Sequence, residues 1–267
     1  MLTDAVVYAS ATRLDAAERA RRQIRMLSLD HPNMTIEDAY AIQKAWIDLK
    51  VATGRAVRGH KVGLTSKAMQ YAVGINEPDF GVLLDDMFFA NGGEIPVQRF
   101  IELRVEAELA FILREPLAGP NCTLAEVLNA TEFVTPAIEI LDTRIFRIDP
   151  ETKATRRVLD TIADNAANAG VVLGNRRFKS TDHDLRWISA ICFRNGEIEE
   201  TGVAAAVMNH PANAISWLAN RLSGYGEALQ PGEVLLSGSF IRPVEVRSGD
   251  AVEVDYGPLG TVSCRFA

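Results

Sequence analysis

The stretch from Arg104 to Leu113, Arg-Val-Glu-Ala-Glu-Leu-Ala-Phe-Ile-Leu, constrains the fold more than any other part of the chain. Val105, Ala107, Leu109 and Phe111 alternate with Arg104, Glu106, Glu108 and Ala110, the period-2 pattern of a strand with one apolar face. A strand sends Glu106 and Glu108 to the same side, whereas a helix would turn them apart. At a rise of about 3.3 Å per residue the two side chains leave the backbone roughly 7 Å apart, so both carboxylates can reach one cation at oxygen distances of about 2.1 Å. The alternative is an ordinary half-buried strand whose solvent face carries two glutamates. A third ligand separates the two readings.

The segment from Phe133 to Asp142 offers one. It reads as another strand, with Pro136 predicting an edge position or an irregular start. Glu139 interrupts an apolar run of Ile138, Ile140 and Leu141, where a carboxylate is costly to bury unless it meets a cation or strong donors. It is a natural third partner for Glu106 and Glu108, or else the partner of Arg144 or another arginine. Three oxygen ligands with room for water suit Mg²⁺ or Mn²⁺ better than zinc, because no cysteine or histidine set lies near. Cys122, Cys192 and Cys264 are widely spaced without a C-x-x-C grouping, which predicts buried thiols.

Two further residues bear on chemistry. Lys61, in Gly59-His60-Lys61-Val62-Gly63-Leu64-Thr65-Ser66-Lys67, lies on a short predicted strand that turns into a helix capped by Ser66 and ending near Gly74. In a partly dry pocket near a metal its pKa would fall and it would move protons near neutrality; on a solvated edge it would not. Asp79 lies in the turn-like Asn76-Glu77-Pro78-Asp79-Phe80-Gly81, displayed on a loop as a cap, a turn former or a catalytic carboxylate. The run from Asp160 to Gly170, dense in small and amide residues, fits either an anionic ligand or a tightly packed helix end.

The rest of the chain sets the architecture. Helices are predicted over Ser10 to Leu29, from an N-cap at Thr35 toward Gly54, from a cap at Thr123 to about Thr131, and from His210-Pro211 through Leu222. Strands are predicted from Arg186 to Arg194, then through an Asn195-Gly196 type I′ hairpin into Ile198 to Val207, and in the region from Glu233 to Cys264. Helices lie mainly early and strands later, which favours α+β over an alternating α/β sheet. With 28 basic and 35 acidic residues, a net charge of −7 argues against nucleic-acid binding. No basic segment leads into an apolar signal-like stretch and no apolar run is long enough to span a bilayer, so the expectation is a cytoplasmic protein without a membrane partner.

The stretches at 59–67, 77–81 (Glu-Pro-Asp-Phe-Gly), 105–111 (Val-Glu-Ala-Glu-Leu-Ala-Phe), 136–142 (Pro-Ala-Ile-Glu-Ile-Leu-Asp) and 164–170 (Asp-Asn-Ala-Ala-Asn-Ala-Gly) share an order and spacing that resemble the hydratase/decarboxylase branch of the fumarylacetoacetase-like superfamily. The likeness covers nearly the whole chain. It implies an α+β fold with a mixed, rolled β-sheet core: an N-terminal helical segment over 1–58 and a catalytic domain over 59–267. It implies Mg²⁺, with Mn²⁺ as a substitute, held by Glu106, Glu108 and Glu139, and proton transfer by Lys61 and Asp79. The implied reaction is addition of water to an unsaturated 2-oxo dicarboxylate. Ser66, Lys67, Asp164, Asn165 and Asn168 are the candidate substrate contacts, and Lys67, Arg104 or Arg144 would meet the distal carboxylate. Alternatives are a 2-oxo-3-enedioate decarboxylase, a 2-hydroxypentadienoate hydratase and, from another class, a non-catalytic metal-binding scaffold, against which Lys61 and Asp79 count. A homo-oligomer, with a pathway enzyme nearby, is also implied.

Overall fold

The computed structural model describes residues 1–267, the side chains of 72 and 73 excepted. Three helices come first: α1 (Asp4–Ala20), α2 (Leu27–Asp30) and α3 (Ile36–Ala52). Strand β1 (Val57–Gly63) leads through Ser66, whose hydroxyl accepts from Met69 N, into α4 (Lys67–Val73). Strands β2 (Asp79–Leu84), β3 (Phe88–Phe89), β4 (Glu94–Ile95) and β5 (Arg104–Leu113) follow. Then come α5 (Leu124–Ala130), β6 (Thr131–Leu141), α6 (Val158–Ala163) and β7 (Asn168–Leu173). The chain closes with β8 (Ser189–Arg194), β9 (Glu197–Val203), α7 (Pro211–Ser223), β10 (Val234–Leu236), β11 (Val244–Glu245), β12 (Ala251–Asp255) and β13 (Thr261–Phe266).

Local chemistry accounts for many of these boundaries. Thr35 and Asp38 form a reciprocal capping box at the start of α3, and Thr123 and Glu126 form another at α5. Asn195 and Gly196 have φ of 55° and 85°, as the type I′ turn between β8 and β9 requires. The helix expected over Ser10 to Leu29 is shorter. Arg21 enters the left-handed region at φ 50°, and Ile24 N then donates to Arg144 O in an extended bridge. A long-range backbone pair has claimed a residue that local periodicity assigns to a helix. Likewise β8 starts only at Ser189, after a 3-10 turn at Leu185–Trp187 capped by Asp184, and β9 ends at Val203.

Two mixed sheets result. The larger has the order β2-β1-β10-β5-β6-β7-β3, with β11 also on β5; the smaller has the order β4-β13-β12-β8-β9. Strand β6 is therefore interior and not the edge that Pro136 suggested. The Pro136 carbonyl accepts from Gly174 N at 2.7 Å, so its missing N–H faces the point where the β7 ladder runs out. The larger sheet rolls until β2 packs against β7. The Asn165 side chain pins that closure, accepting from Val82 N at 2.8 Å and donating to Val82 O at 3.0 Å.

The roll has two buried faces. Val62, Val105, Ala107, Leu109, Phe111, Ile138 and Ile140 lie in the main core, which also takes in Leu14, Ile42 and Trp46 from the N-terminal helices. Leu83, Ala110, Ile112, Ala137, Val171, Val234 and Leu236 form a separate apolar cluster on the other face, inside the roll. Gln43 of α3 ties helix to sheet by donating to Phe80 O and Ile162 O, both at 2.9 Å. All three cysteines are buried and free. Among the described residues no helix is long and apolar enough to cross a membrane.

Candidate metal centre and active site

Strand register brings the candidate residues together inside the roll. Glu106 stands directly opposite Glu139 across the β5–β6 ladder, with Glu108 two residues further along the same face. On the other flank Lys61 aligns with Leu236, and Leu236 with Ala110, so its side chain leaves the same face two strands away. Asp79 pairs with Gly63 beyond it. The oxygens of Glu106, Glu108 and Glu139 include one from each residue within 4.8 Å of the others. Glu108 and Glu139 are 0% exposed, Lys61 4% and Asp79 2%, while Glu106 is half-buried. The solvent-face reading of the Glu106 and Glu108 pair is thus excluded, because rolling the sheet turns that face inward. Asp79 is not displayed on a loop either; it is the first residue of β2 and is buried.

The donor set fits a hard divalent cation. Glu108 Oε2 accepts from Gly238 N at 2.8 Å, but Glu108 Oε1, both Glu139 oxygens and Asp79 Oδ1 are buried with no hydrogen-bond partner among the described residues. Lys61 Nζ lies 3.4 Å from Glu139 Oε1, at ion-pair range without hydrogen-bond geometry. Glu139 therefore pairs with Lys61, and not with Arg144. Three buried acids and the half-buried Glu106 around one ammonium leave negative charge uncompensated, a cost that a cation bound by carboxylate oxygens would remove. Tyr256, reached from the smaller sheet and not anticipated from the sequence, helps to set the geometry. Its hydroxyl accepts from Glu108 N at 3.2 Å and donates to Ala137 O, wedging into the ladder beside Glu108.

The electrostatics follow from burial. Burial, and then Glu139, pushes Glu106 up to about 8; burial also lifts Asp79 to about 6, against Lys61 and with Glu139. Glu108 and Glu139 shift upward for the same first reason. Burial works against the Lys61 ammonium, yet Glu139, Asp79, Glu106 and Glu108 together hold its pKa above the lysine norm. Without a metal the pocket that dries the lysine also surrounds it with acids, whereas the lowered value expected from sequence is that of a lysine beside a bound cation. For Glu106 the folded pKa exceeds the unfolded one, so the metal-free fold binds extra protons between the ordinary carboxylate range and about 8, and its stability falls as pH rises through that window. A cation must displace those protons. Apparent Mg²⁺ affinity is expected to rise from pH 6 to 8, by about tenfold per pH unit for each proton displaced. Calorimetric titrations at pH 6, 7 and 8 check this, and a pH-independent affinity contradicts it.

Gly63 is built for this site. A Cβ there would lie 2.3 Å from Asp79 Oδ1 and 3.1 Å from Lys61 Nζ, so both groups crowd the same point. Gly63→Ala is expected to lower kcat by about 10- to 100-fold through displacement of these side chains, with the fold and Mg²⁺ binding kept. Unchanged kcat would mean that neither group has to stand where it does.

The expected substrate contacts divide. Asp164 is consumed by Arg144: its Oδ1 accepts from Arg144 Nε at 2.6 Å, and Arg144 also donates to Asp164 O at 2.7 Å. Both side chains are buried in this ion pair, which removes Arg144 from the candidates for a distal carboxylate. Asn165 serves the β2 closure described above. Ser66 caps α4, and Lys67 is exposed with its ammonium 3.1 Å from Gln70 Oε1. Arg104 pairs with Glu245 at 2.8 Å. Asn168 differs from these, buried with both amide atoms unpaired among the described residues. Ser237, at the end of β10, likewise has a buried, unpaired hydroxyl that no sequence pattern singled out.

A rolled mixed sheet that gathers three carboxylates, a lysine and an aspartate on its inner face is suited to an enzyme that works with a divalent cation. More particularly, the chain belongs to the fumarylacetoacetate hydrolase family: the model for the fumarylacetoacetate (FAA) hydrolase C-terminal region matches residues 50–267. It is 60% identical over 256 residues to a 2-oxo-hept-4-ene-1,7-dioate hydratase of Escherichia coli, covering 96% of each chain. It is 38% identical over 258 residues to a 2-hydroxyhexa-2,4-dienoate hydratase of Comamonas testosteroni, covering 95% of each. The solved 4-oxalocrotonate decarboxylase from Pseudomonas putida G7, complexed with magnesium and adipate, superposes with a TM-score of 0.94 at 34% identity, over 100% of this chain and 99% of that one.

Proposed function

We propose that this chain is a Mg²⁺-dependent hydro-lyase that adds water to 2-oxohept-4-ene-1,7-dioate, by way of its 3-ene tautomer or dienol, to give 4-hydroxy-2-oxoheptanedioate in homoprotocatechuate (4-hydroxyphenylacetate) catabolism. The observation that carries the chemistry is the convergence of Glu106, Glu108 and Glu139 with Lys61 and Asp79 on the inner face of the roll. The substrate assignment rests on the 60% identity to the hydratase named above.

Glu106, Glu108 and Glu139 would hold Mg²⁺, which supplies Lewis acidity and a chelation point for a 2-oxo acid. The protein's own groups move the protons. Shifting the double bond from C4 to C3 takes a proton from C3 and returns one at C5; the oxygen of water then bonds to C4 while C3 regains a proton. Asp79, titrating at about 6, can both accept and release a proton near neutrality, and the Lys61 ammonium beside Glu139 is the other carrier. Ala110, Ala137, Val171 and Leu236 line the same face and keep bulk water from the carboxylates. The reading includes a homo-oligomer, which would cover exposed apolar groups such as Trp187 and Ile198; a single-chain mass in light scattering contradicts that part.

A decarboxylase reading draws support from the superposition on 4-oxalocrotonate decarboxylase, but at 34% identity against 60% for the hydratase. Product analysis decides between them. With Mg²⁺ and the oxo-heptenedioate, the hydratase gives a product heavier by one water. Release of CO₂, or no product, overturns the assignment.

A further inference from the structure

A seven-carbon dioate brings a second carboxylate into a site already dense in acid. If one end of the substrate lies at Glu106, Glu108 and Glu139, the far carboxyl carbon of an extended chain is roughly 7–8 Å away. The inner face becomes apolar in the other direction, through Ala110 and Ile112, so the far end has to point the opposite way, toward the start of β5, the end of β6 and the start of β2. A cation is needed there, and most of those nearby are occupied. Arg144 is enclosed with Asp164, Arg104 is paired with Glu245, and Arg147 Nε bonds Glu102 Oε1 at 2.9 Å. Lys67 is exposed on α4.

Arg156 is different. It is half-buried, and among the described residues no carboxylate lies within 4 Å of its guanidinium; its one side-chain hydrogen bond runs from Nη1 to Thr143 Oγ1. Thr143 lies four residues beyond Glu139, so the guanidinium held at its hydroxyl is at most roughly 13 Å along the chain from that carboxylate. The segment carrying Arg156 is firmly built. Arg156 N donates to Arg147 O at 2.9 Å, Ile148 bridges Thr155, and Asp149 holds the turn by accepting from Thr152 N at 2.8 Å and pairing with Arg25. Arg156 is also close enough to Asp79 to act on it as a stabilising charge, as Arg147 is to Glu106. Asp164 acts on Arg156 only from beyond ion-pair contact, so the guanidinium keeps a planar fork that no carboxylate touches and that matches one.

We infer that Arg156 anchors the substrate's distal carboxylate, with Arg147 as the adjoining positive wall, and thereby selects dicarboxylic over monocarboxylic 2-oxo acids. The assignment rests on the hydratase reading for its substrate, while the charge selection can be tested separately. Arg156→Gln and Arg156→Lys are compared with the wild type on the dioate and on 2-oxopent-4-enoate, which lacks the distal carboxylate. Calorimetry with Mg²⁺ measures binding of two unreactive probes, 2-oxoheptanedioate and 2-oxohexanoate.

Arg156→Gln is expected to raise KM for the dioate about 30- to 100-fold, to change kcat on the dioate and turnover of 2-oxopent-4-enoate by the same few-fold factor, because Asp79 loses a nearby positive charge, and to remove the wild-type preference for 2-oxoheptanedioate. Arg156→Lys should recover part of that preference, and it carries the test if the Gln variant fails to fold. Equal losses on both substrates and both probes would make Arg156 a structural support of the Thr143–Asp164 network and overturn the proposal, as would an unchanged preference. If the wild type does not hydrate the dioate at all, the functional reading fails, yet the probe preference and its loss in Arg156→Gln still decide the role of Arg156.

Discussion

Glu139→Gln is expected to reduce Mg²⁺-dependent turnover by at least about 10³-fold and to abolish measurable Mg²⁺ binding, while the chain stays folded. Glu139 is fully buried with both oxygens free of hydrogen bonds among the described residues. The amide replaces an anionic donor with a neutral group, half of which presents N–H to the cation. The metal-free protein should not lose stability and should gain some, because Glu139 is the leading charge that raises Glu106 and Glu108. That combination of a raised melting temperature without metal and a lost Mg²⁺-induced shift distinguishes a ligand from a residue that merely supports the fold. Glu106→Gln should behave alike. Wild-type metal affinity or full activity in either variant removes that residue from the ligand set.

Lys61→Met is expected to lower kcat by about 10²- to 10⁴-fold with Mg²⁺ binding retained or tightened. The methionine has a comparable volume but no proton to give. It also removes a positive charge 3.4 Å from Glu139 Oε1, which favours the cation. Without metal this variant should be destabilised by about 3–5 kcal/mol, since the buried acids lose their ammonium partner. Kinetics and Mg²⁺ calorimetry on the same preparation check the split. Retained kcat would exclude Lys61 as a proton carrier, and lost Mg²⁺ binding would make its role one of assembling the carboxylates.

Much of the site is legible because its parts are local patterns. Alternation along Arg104–Leu113 fixes which residues share a face, a glutamate inside an apolar run marks Glu139, and the capping boxes and the Asn195-Gly196 turn declare themselves within four residues. What the sequence hides is set by pairings over long separations. Whether the glutamate face looks to solvent or inward depends on the sheet closing from β2 to β7. The end of α1 depends on Ile24 meeting Arg144, and the tolerance of Pro136 depends on where β7 stops. Asp164 looked like a substrate contact because its composition suited one; only the fold shows that Arg144 fills it. The metal-free charge balance at Lys61 is hidden as well, because it depends on the four acids that register gathers around it.

The central claim is that a divalent cation held by Glu106, Glu108 and Glu139 makes this chain a hydratase. The most direct test is to titrate metal-stripped protein with Mg²⁺ while following hydration of 2-oxohept-4-ene-1,7-dioate. The rate should rise from near zero and saturate together with the binding of one Mg²⁺ per chain. Hydration that persists after complete chelation, or Mg²⁺ binding that saturates without any gain in rate, would contradict it.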